Sequence, residues 1–317
     1  RIEIGAGDTL KCNTFGIDGD CGKYVRFIGD GGGDASVIDN GTTDWNLDFF
    51  HLENLICSPT TNITATNTID LGGNANFTIT EDNSVSQNFF WVGGQGNFYS
   101  DQHWSFTTGG AVSGCIPTPN DYVFFDANSF ALSGDTLFLQ ERVQIESWDF
   151  TGSNDFFTVA GISDTIEVRD ELTGSSFVQW DWDGAIKMTS NALSSLFSNG
   201  GQWNSDFVKT GTGSLILVDD FINLQDIKHR NGGLLAGGDI TLSSFYSDDT
   251  TNTRTIDFTA ATINISSSFL VDSVKFTYIN MGSRLNFSGS ESSSFRPGVF
   301  DYDTVFIDNT TTLNVLG

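Results

Sequence analysis

Two pairs of adjacent carboxylates, Asp219–Asp220 and Asp248–Asp249, are the first residues whose types and spacing could do chemistry. Glycoside hydrolysis needs two carboxyl groups held at a set separation across a sugar. Each pair, however, lies in a turn-like run beside Gly, Ser, Thr or Asn, where solvated carboxylates are ordinary. Lyase chemistry needs a basic residue near a carboxylate-bound calcium. The one basic cluster, Lys228, His229 and Arg230, has no identifiable acidic constellation around it. There is no Gly-x-Ser-x-Gly elbow, no catalytic Cys/His context and no phosphate-cradling loop. No residue earns a catalytic assignment, and the chain reads as a non-enzyme.

The four cysteines, Cys12, Cys21, Cys57 and Cys115, do not match zinc-pair spacings, and the three histidines are scattered. Two disulfides in an oxidising compartment are expected, and no metal site. Of the three connectivities, Cys12–Cys21 with Cys57–Cys115 is favoured. The first closes the short loop "CNTFGIDGDC", and the second staples distant parts of the chain. Free buried thiols remain the alternative. No cofactor is expected, with calcium as the one lesser candidate. The run "GDGGGDASV", Gly29 to Val37, has the look of a calcium-binding Gly/Asp nonapeptide but occurs once, without tandem copies. The run "DGDCG", Asp18 to Gly22, lacks the bidentate Glu that ends an EF-hand loop. Both read as turns.

A denser constellation is "FFWVGGQGNFYSDQHWS", Phe89 to Ser105. Stacked on a sugar, its aromatics would need open faces. Packed inward, Trp91, Phe98 and Trp104 would each bury on the order of 150–250 Å² and close the end of a stack of strands. Gly93, Gly94 and Gly96 would supply backbone conformations closed to other residues, and Pro117 and Pro119 would fix the exit toward the strand "YVFFD". The cap is the preferred reading.

The elements that must position these residues are strands. Helical periodicity is almost absent, and only "NALSSLFSN", Asn191 to Asn199, could make a helical turn. Short alternating Val/Ile/Phe/Thr segments separated by Gly, Asn, Asp and Ser give the strand-and-turn pattern. Segments beginning at Leu215, Ile240, Ile263, Leu285 and Val305 recur every 20 to 25 residues. That period predicts an all-β, parallel β-helix (solenoid), in which stacking supplies the core. Asn264 and Asn286 hold like positions and are expected to stack as a ladder in a turn. An antiparallel β-sandwich pair is the alternative, but its two-residue hairpin turns are scarce. Residues 1–80 read as the closing coils of one solenoid module, 81–88 as a polar linker, and 89–317 as a second module capped over about 89–130.

Composition narrows the function classes. The 317 residues carry 40 acidic and 14 basic side chains, a net charge of −26 that disfavours nucleic acid and anionic lipid as partners. With 38% hydrophobic residues and 28 Phe, the acidity does not imply disorder. No apolar run approaches a membrane span, so no direct membrane insertion is expected. Arg1 at the start and a strand-like pattern at the far end suggest a piece of something longer.

The box also carries a resemblance. "WVGGQGNFYSDQHWS", followed by "GGAVSGCIPTPNDYVFFDANSF", is similar to the recurring module opening of giant repetitive surface adhesins of Bacteroidota, the SprB-type gliding-motility adhesins and their static relatives. The matching positions are Trp91, Gly93, Gly94, Gly96, Asn97, Trp104, Pro117, Asp121, Val123, Phe125, Asp126 and Phe130. Phe98 stands where Trp is more usual, and Tyr99 is an extra residue. "TATNTIDLGGNANFTIT" resembles the phrase that closes such modules, and "GTGSLILVDDF" with "NGGLLAGGDITLSSF" resembles their coils.

The resemblance implies a secreted, filamentous, multi-module adhesin at the outer-membrane surface. Its partners would be the type IX secretion and gliding machinery, reached through other parts of the chain, and extracellular surfaces or polysaccharide. Asp-Ser/Thr before a small or aliphatic residue resembles the O-glycosylation sequon of Bacteroidota surface proteins, with acceptors Thr9, Thr136, Thr165, Thr250, Ser273 and Thr304. The alternative function is a carbohydrate-binding or polysaccharide-degrading extracellular β-helix, which would show a groove of exposed aromatics and paired carboxylates.

Overall fold

The computed structural model describes residues 1–30, 36–41, 43–58, 63–80, 85–162, 165–289, 292–308 and 312–316. The chain is all-β, with no helix among the described residues, and its parallel strands stack as a β-solenoid of about 13 turns. Its contacts divide it into two compact units. One comprises Arg1–Val92 with Tyr99–Tyr122, the other Gly93–Phe98 with Val123–Gly317. The segment expected as a cap is thus shared between them.

The first unit winds through three short parallel sheets. One stacks Ile2–Ile4, Val25–Gly29, Phe50–Glu53 and Ile69–Asp70; a second stacks Thr9–Lys11, Ser36–Asp39 and Leu55–Cys57; a third stacks Trp45–Asp48, Ile63–Thr66 and Phe77–Ile79. Alternation does the sorting, because successive strand side chains point to opposite faces. In "WNLD", Trp45 and Leu47 turn inward and are buried while Asn46 is exposed. Registers such as Ile2 opposite Phe27 and Phe27 opposite Leu52 place apolar rung upon apolar rung.

The second unit repeats a three-faced coil more regularly. Its first face begins with Asp135–Leu139, Phe157–Gly161 and Val178–Asp181. Its second runs from Val143–Ile145 through Thr165–Val168, Ala185–Met188 and Asp206–Lys209. Its third runs from Ser147–Asp149 through Glu171–Thr173, Ser194–Phe197, Ser214–Leu217, Gly232–Ala236 and Arg254–Asp257 to Phe276–Ile279. Farther along, first and second faces merge into the long strands Phe221–His229, Ile240–Ser247 and Thr262–Val271, with register shifts at the corner. They part again into Arg284–Phe287 and Ser293–Arg296.

Four of the five recurring segments are true rungs: Ile240 opposes Ile263, Ile263 opposes Leu285, and Leu285 opposes Val305. The Leu215 segment is not on that ladder. It pairs with Ser194 and Leu234 on another face, so the first step joined two different sides of the coil. Asn264 and Asn286 do stack, but within strands and not in a turn. The anticipated helical turn at Asn191–Asn199 is instead the strand Ser194–Phe197, whose Ser194 and Leu196 are buried in alternation. Neighbouring rungs on both sides complete its hydrogen bonds, and tertiary pairing overrides a local helical pattern.

Candidate functional site

The tryptophans of the aromatic box face inward. Asn88–Trp91 pairs antiparallel with Trp104–Ser105, setting Trp91 opposite Trp104. The two indoles meet edge to face at 5.0 Å, His103 stacks flat on Trp91 at 4.7 Å, and Phe89 meets Trp104 edge-on at 6.2 Å. Both tryptophans are 0% exposed. A sugar-stacking platform needs an open ring face, so Trp91 and Trp104 do not supply one. Below them Pro117 is buried, and the buried Asp121 carboxylate accepts bonds from the Thr118 N–H and hydroxyl, both at 2.8 Å, and from the Gln87 N–H at 2.8 Å. This ties the entry and exit of the segment together.

In the second unit the box supplies an edge cover. Gly96 and Asn97 pair in parallel with Leu137 and Phe138, so they form the outermost strand of the four-stranded first-face sheet. Phe98 is fully buried against Trp148, centroids 5.5 Å apart. Gly93 and Gly94 have φ of 88° and 75°, which side-chain-bearing residues rarely adopt, and a Cβ on Gly94 would lie 2.9 Å from an Asp135 oxygen. Gly96 is not so constrained: it is extended because it is a ladder residue. Asp126 is a turn-former, its Oδ1 accepting the Asn128 N–H at 2.7 Å while its own N–H donates to Ser129 Oγ.

The disulfide pairing differs from expectation. Cys21 bonds to Cys115, while Cys12 and Cys57 stay outside any disulfide. In a solenoid, proximity follows position in the coil and not separation along the chain. Cys57 closes the strand Leu55–Cys57 with its side chain in the core, where burial and then nearby Asp39 push its thiol pKa up. Cys12 packs against that core, and burial raises its pKa too. The loops carrying Cys21 and Cys115 run together instead. Ile116 N–H donates to Cys21 O at 2.8 Å, and a Cβ on Gly22 would collide with Gly114 O. Closing a loop of 94 residues, this bond is of the class that stabilises by about 4–5 kcal/mol in the chain-entropy account.

The carboxylate pairs serve turns. Asp219 accepts the Ser198 N–H at 2.6 Å and the Asn199 N–H at 2.7 Å, and Asp220 accepts the Asp239 N–H at 2.8 Å. Asp248 pairs with Arg230 at 2.6 Å. Asp249 accepts from the Thr251 hydroxyl and N–H and from Asn252, which hold its pKa down at about 2. In "DGDCG", Asp20 accepts the Gly22 N–H in the same way, and most of "GDGGGDASV" lies outside the described residues, as do 81–84 of the expected linker. Of the six glycosylation acceptors, Thr9, Thr250 and Thr304 are exposed and Thr136, Thr165 and Ser273 half-buried; Asp164, which precedes Thr165, is outside the described residues.

The basic cluster is spent on structure. Lys228 pairs with Asp206, whereas His229 points inward and is 0% exposed. Its Nε2 lies 2.9 Å from Gly232 O and its Nδ1 3.2 Å from Ser247 Oγ. Burial lowers its pKa to about 4, so the ring is neutral, with Nε2–H donating to the carbonyl. It stacks on Lys209 in register, and Lys209 is also buried, with Nζ donating to Gly211 O and its pKa lowered to about 8 by burial. The fully buried Arg254 donates to Ser247 O, to Asp272 O at 3.1 Å and to Val274 O at 2.7 Å. Three basic side chains thus satisfy inward carbonyls of the coil corner between second and third faces.

Sequence reasoning passed over Lys209 and Arg254. The signal was present in the alternation: in "DFVK", Phe207 and Lys209 share the inward side. No family model, curated protein or solved structure matches this chain.

Proposed function

We propose that this chain is a non-enzymatic repeat segment of a large filamentous cell-surface adhesin that serves surface attachment and gliding motility. The observation that carries the reading is the burial of Trp91, Phe98 and Trp104 in the one stretch that most specifically resembles the module openings of such adhesins. Their burial suits a structural role. The engagement of the carboxylate pairs in turns and of the basic cluster in a coil corner supports the non-enzymatic reading.

Function would then come from reach and repetition. Each stacked coil adds about 4.8 Å, and linked modules would hold an adhesive surface away from the cell. A net charge of −26 keeps neighbouring filaments apart. Weak contacts multiplied over many copies give avidity. The proposed setting is extracellular, at the outer-membrane surface after type IX export, with the gliding machinery engaged by other parts of the protein.

The test uses living host cells and beads coated with antibody against this chain. Beads propelled along the cell are expected. Beads that bind and stay in place remove the motility part of the proposal, and failure to bind intact cells removes surface display.

A further inference from the structure

We infer that the second unit carries a binding site for a neutral polysaccharide strand, in a groove walled by Phe156 and a row of amides, Gln179, Gln202 and Asn204. The inference rests on the adhesin reading for its biological use, but its geometry stands alone. The groove has a volume of about 580 Å³ and is floored by the nearly buried, stacked indoles of Trp180 and Trp203, 5.2 Å apart.

Its origin is a break in the first-face ladder. Val178–Asp181 is the last strand of the four-stranded sheet, and the next coil contributes only the isolated bridge of Gln202 with Ile222. Regular pairing resumes with Phe221–His229 against Ile240–Ser247. At the break the coil surface is concave, and two of its side-chain amides, Gln179 and Gln202, are exposed and make no side-chain hydrogen bond among the described residues. Asn204 accepts from Gln225 at 2.6 Å through its oxygen, which leaves its NH₂ to donate outward. The Gln179 and Gln202 amides can each donate and accept at once, the pairing that adjacent sugar hydroxyls satisfy.

The aromatic wall is open, unlike the tryptophan box. Phe156 is 59% exposed and is held by an edge contact with Phe177 at 5.3 Å. An open ring face beside amides is suited to the apolar face of a sugar ring. Charge decides the ligand class. In a chain with 40 acidic and 14 basic residues, none of the nine groove-lining residues is ionisable. An acidic polysaccharide would find no cation here and would meet the repulsion of the surrounding surface. A neutral one meets neither. Gln179 and Gln202, which come from successive coils, also favour an extended chain laid along the stack.

Affinity electrophoresis of the purified chain tests this, in gels containing a soluble β-glucan, xyloglucan, galactomannan or, as the charged control, polygalacturonate. At least one neutral polysaccharide is expected to retard the chain and polygalacturonate is not. Phe156→Ala and Gln202→Ala should each weaken retardation about tenfold, with thermal melting unchanged because both side chains face solvent. Absence of retardation by every neutral polysaccharide overturns the site, as does retardation that survives both substitutions or is matched by polygalacturonate. The outcome is independent of the bead assay: a chain that binds glycan in the gel but is not propelled keeps the groove and loses the gliding role.

Discussion

Two regions of the second unit treat the cross-section of the stack in opposite ways. In one, Gly96–Asn97 covers the edge of Asp135–Leu139. Behind it Phe98, Phe125, Phe130, Trp148, Phe150 and Phe157 interlock, with Phe130 and Phe157 only 4.0 Å apart. In the strand Thr304–Ile307, Val305 and Ile307 hold the inward positions opposite Leu285 and Phe287, yet are 37% and 52% exposed. Leu285 and Phe287 are buried because a further rung covers them. Register decides which way a side chain points; the neighbouring coil decides whether it is buried. In a solenoid, core is a property of adjacent pairs of coils and not of any one strand.

The sharpest test of that difference is a side-chain truncation in each region. Trp148→Ala should cost about 3–5 kcal/mol, as for large aromatics removed from a packed core. Phe306→Ala, at a position already 43% exposed on the last rung, should cost less than about 1 kcal/mol. Urea denaturation midpoints measure both. Comparable losses would mean that the exposed strand is as tightly organised as the aromatic cluster.

A second effect lies between the two regions, at the corner built by Lys209, His229 and Arg254. His229 has a folded pKa lowered to about 4 by burial, against an ordinary value of 6.5. The unfolded chain therefore binds a proton more readily than the folded one between those values, and stability is lost as pH falls through that window. The loss is up to about 3 kcal/mol from this one group. His229→Gln should flatten the decline in melting temperature between pH about 6.5 and about 4 relative to the unsubstituted chain. Parallel pH curves would show that the ring is not the group being titrated.

The sequence was most legible where a residue's role follows from alternation and least where it follows from coil geometry. The rungs at Ile240, Ile263, Leu285 and Val305 were readable because each needs only an inward apolar residue at a constant period. The same rule misassigned Leu215, because a three-faced coil offers three interleaved series with similar residues and similar periods. The disulfide was unreadable for a related reason: which loops meet depends on how far each coil bulges, and nothing in the spacing of Cys21 and Cys115 records that. That the tryptophans face inward was legible from their size and the glycines around them. The groove at Phe156 was not, since it arises from a missing ladder segment, and an absent pairing leaves no motif.

The smallest effect concerns the asparagine ladder, where the contrast between interior and end can be read within a single feature. Asn286 Nδ2 donates to Asn264 Oδ1 at 2.9 Å, and Asn264 Nδ2 donates to Thr241 Oγ1 at 3.3 Å. Asn264 thus has a neighbour on each side. Asn286 has one, because the next rung presents Phe306, and its own side-chain oxygen is buried without a partner. A net hydrogen bond contributes about 0.5–1.5 kcal/mol, and leaving a partner unsatisfied costs more than removing both. Asn264→Ala should therefore cost about 1–2 kcal/mol, because it strands Asn286. Asn286→Ala should cost less than about 1 kcal/mol, because it removes one bond and also an unsatisfied oxygen. Chemical denaturation of the two variants and the double variant gives the coupling directly. Equal single losses with no coupling would show that the asparagines stack without supporting each other, and the advantage of an interior rung would then rest on apolar burial alone.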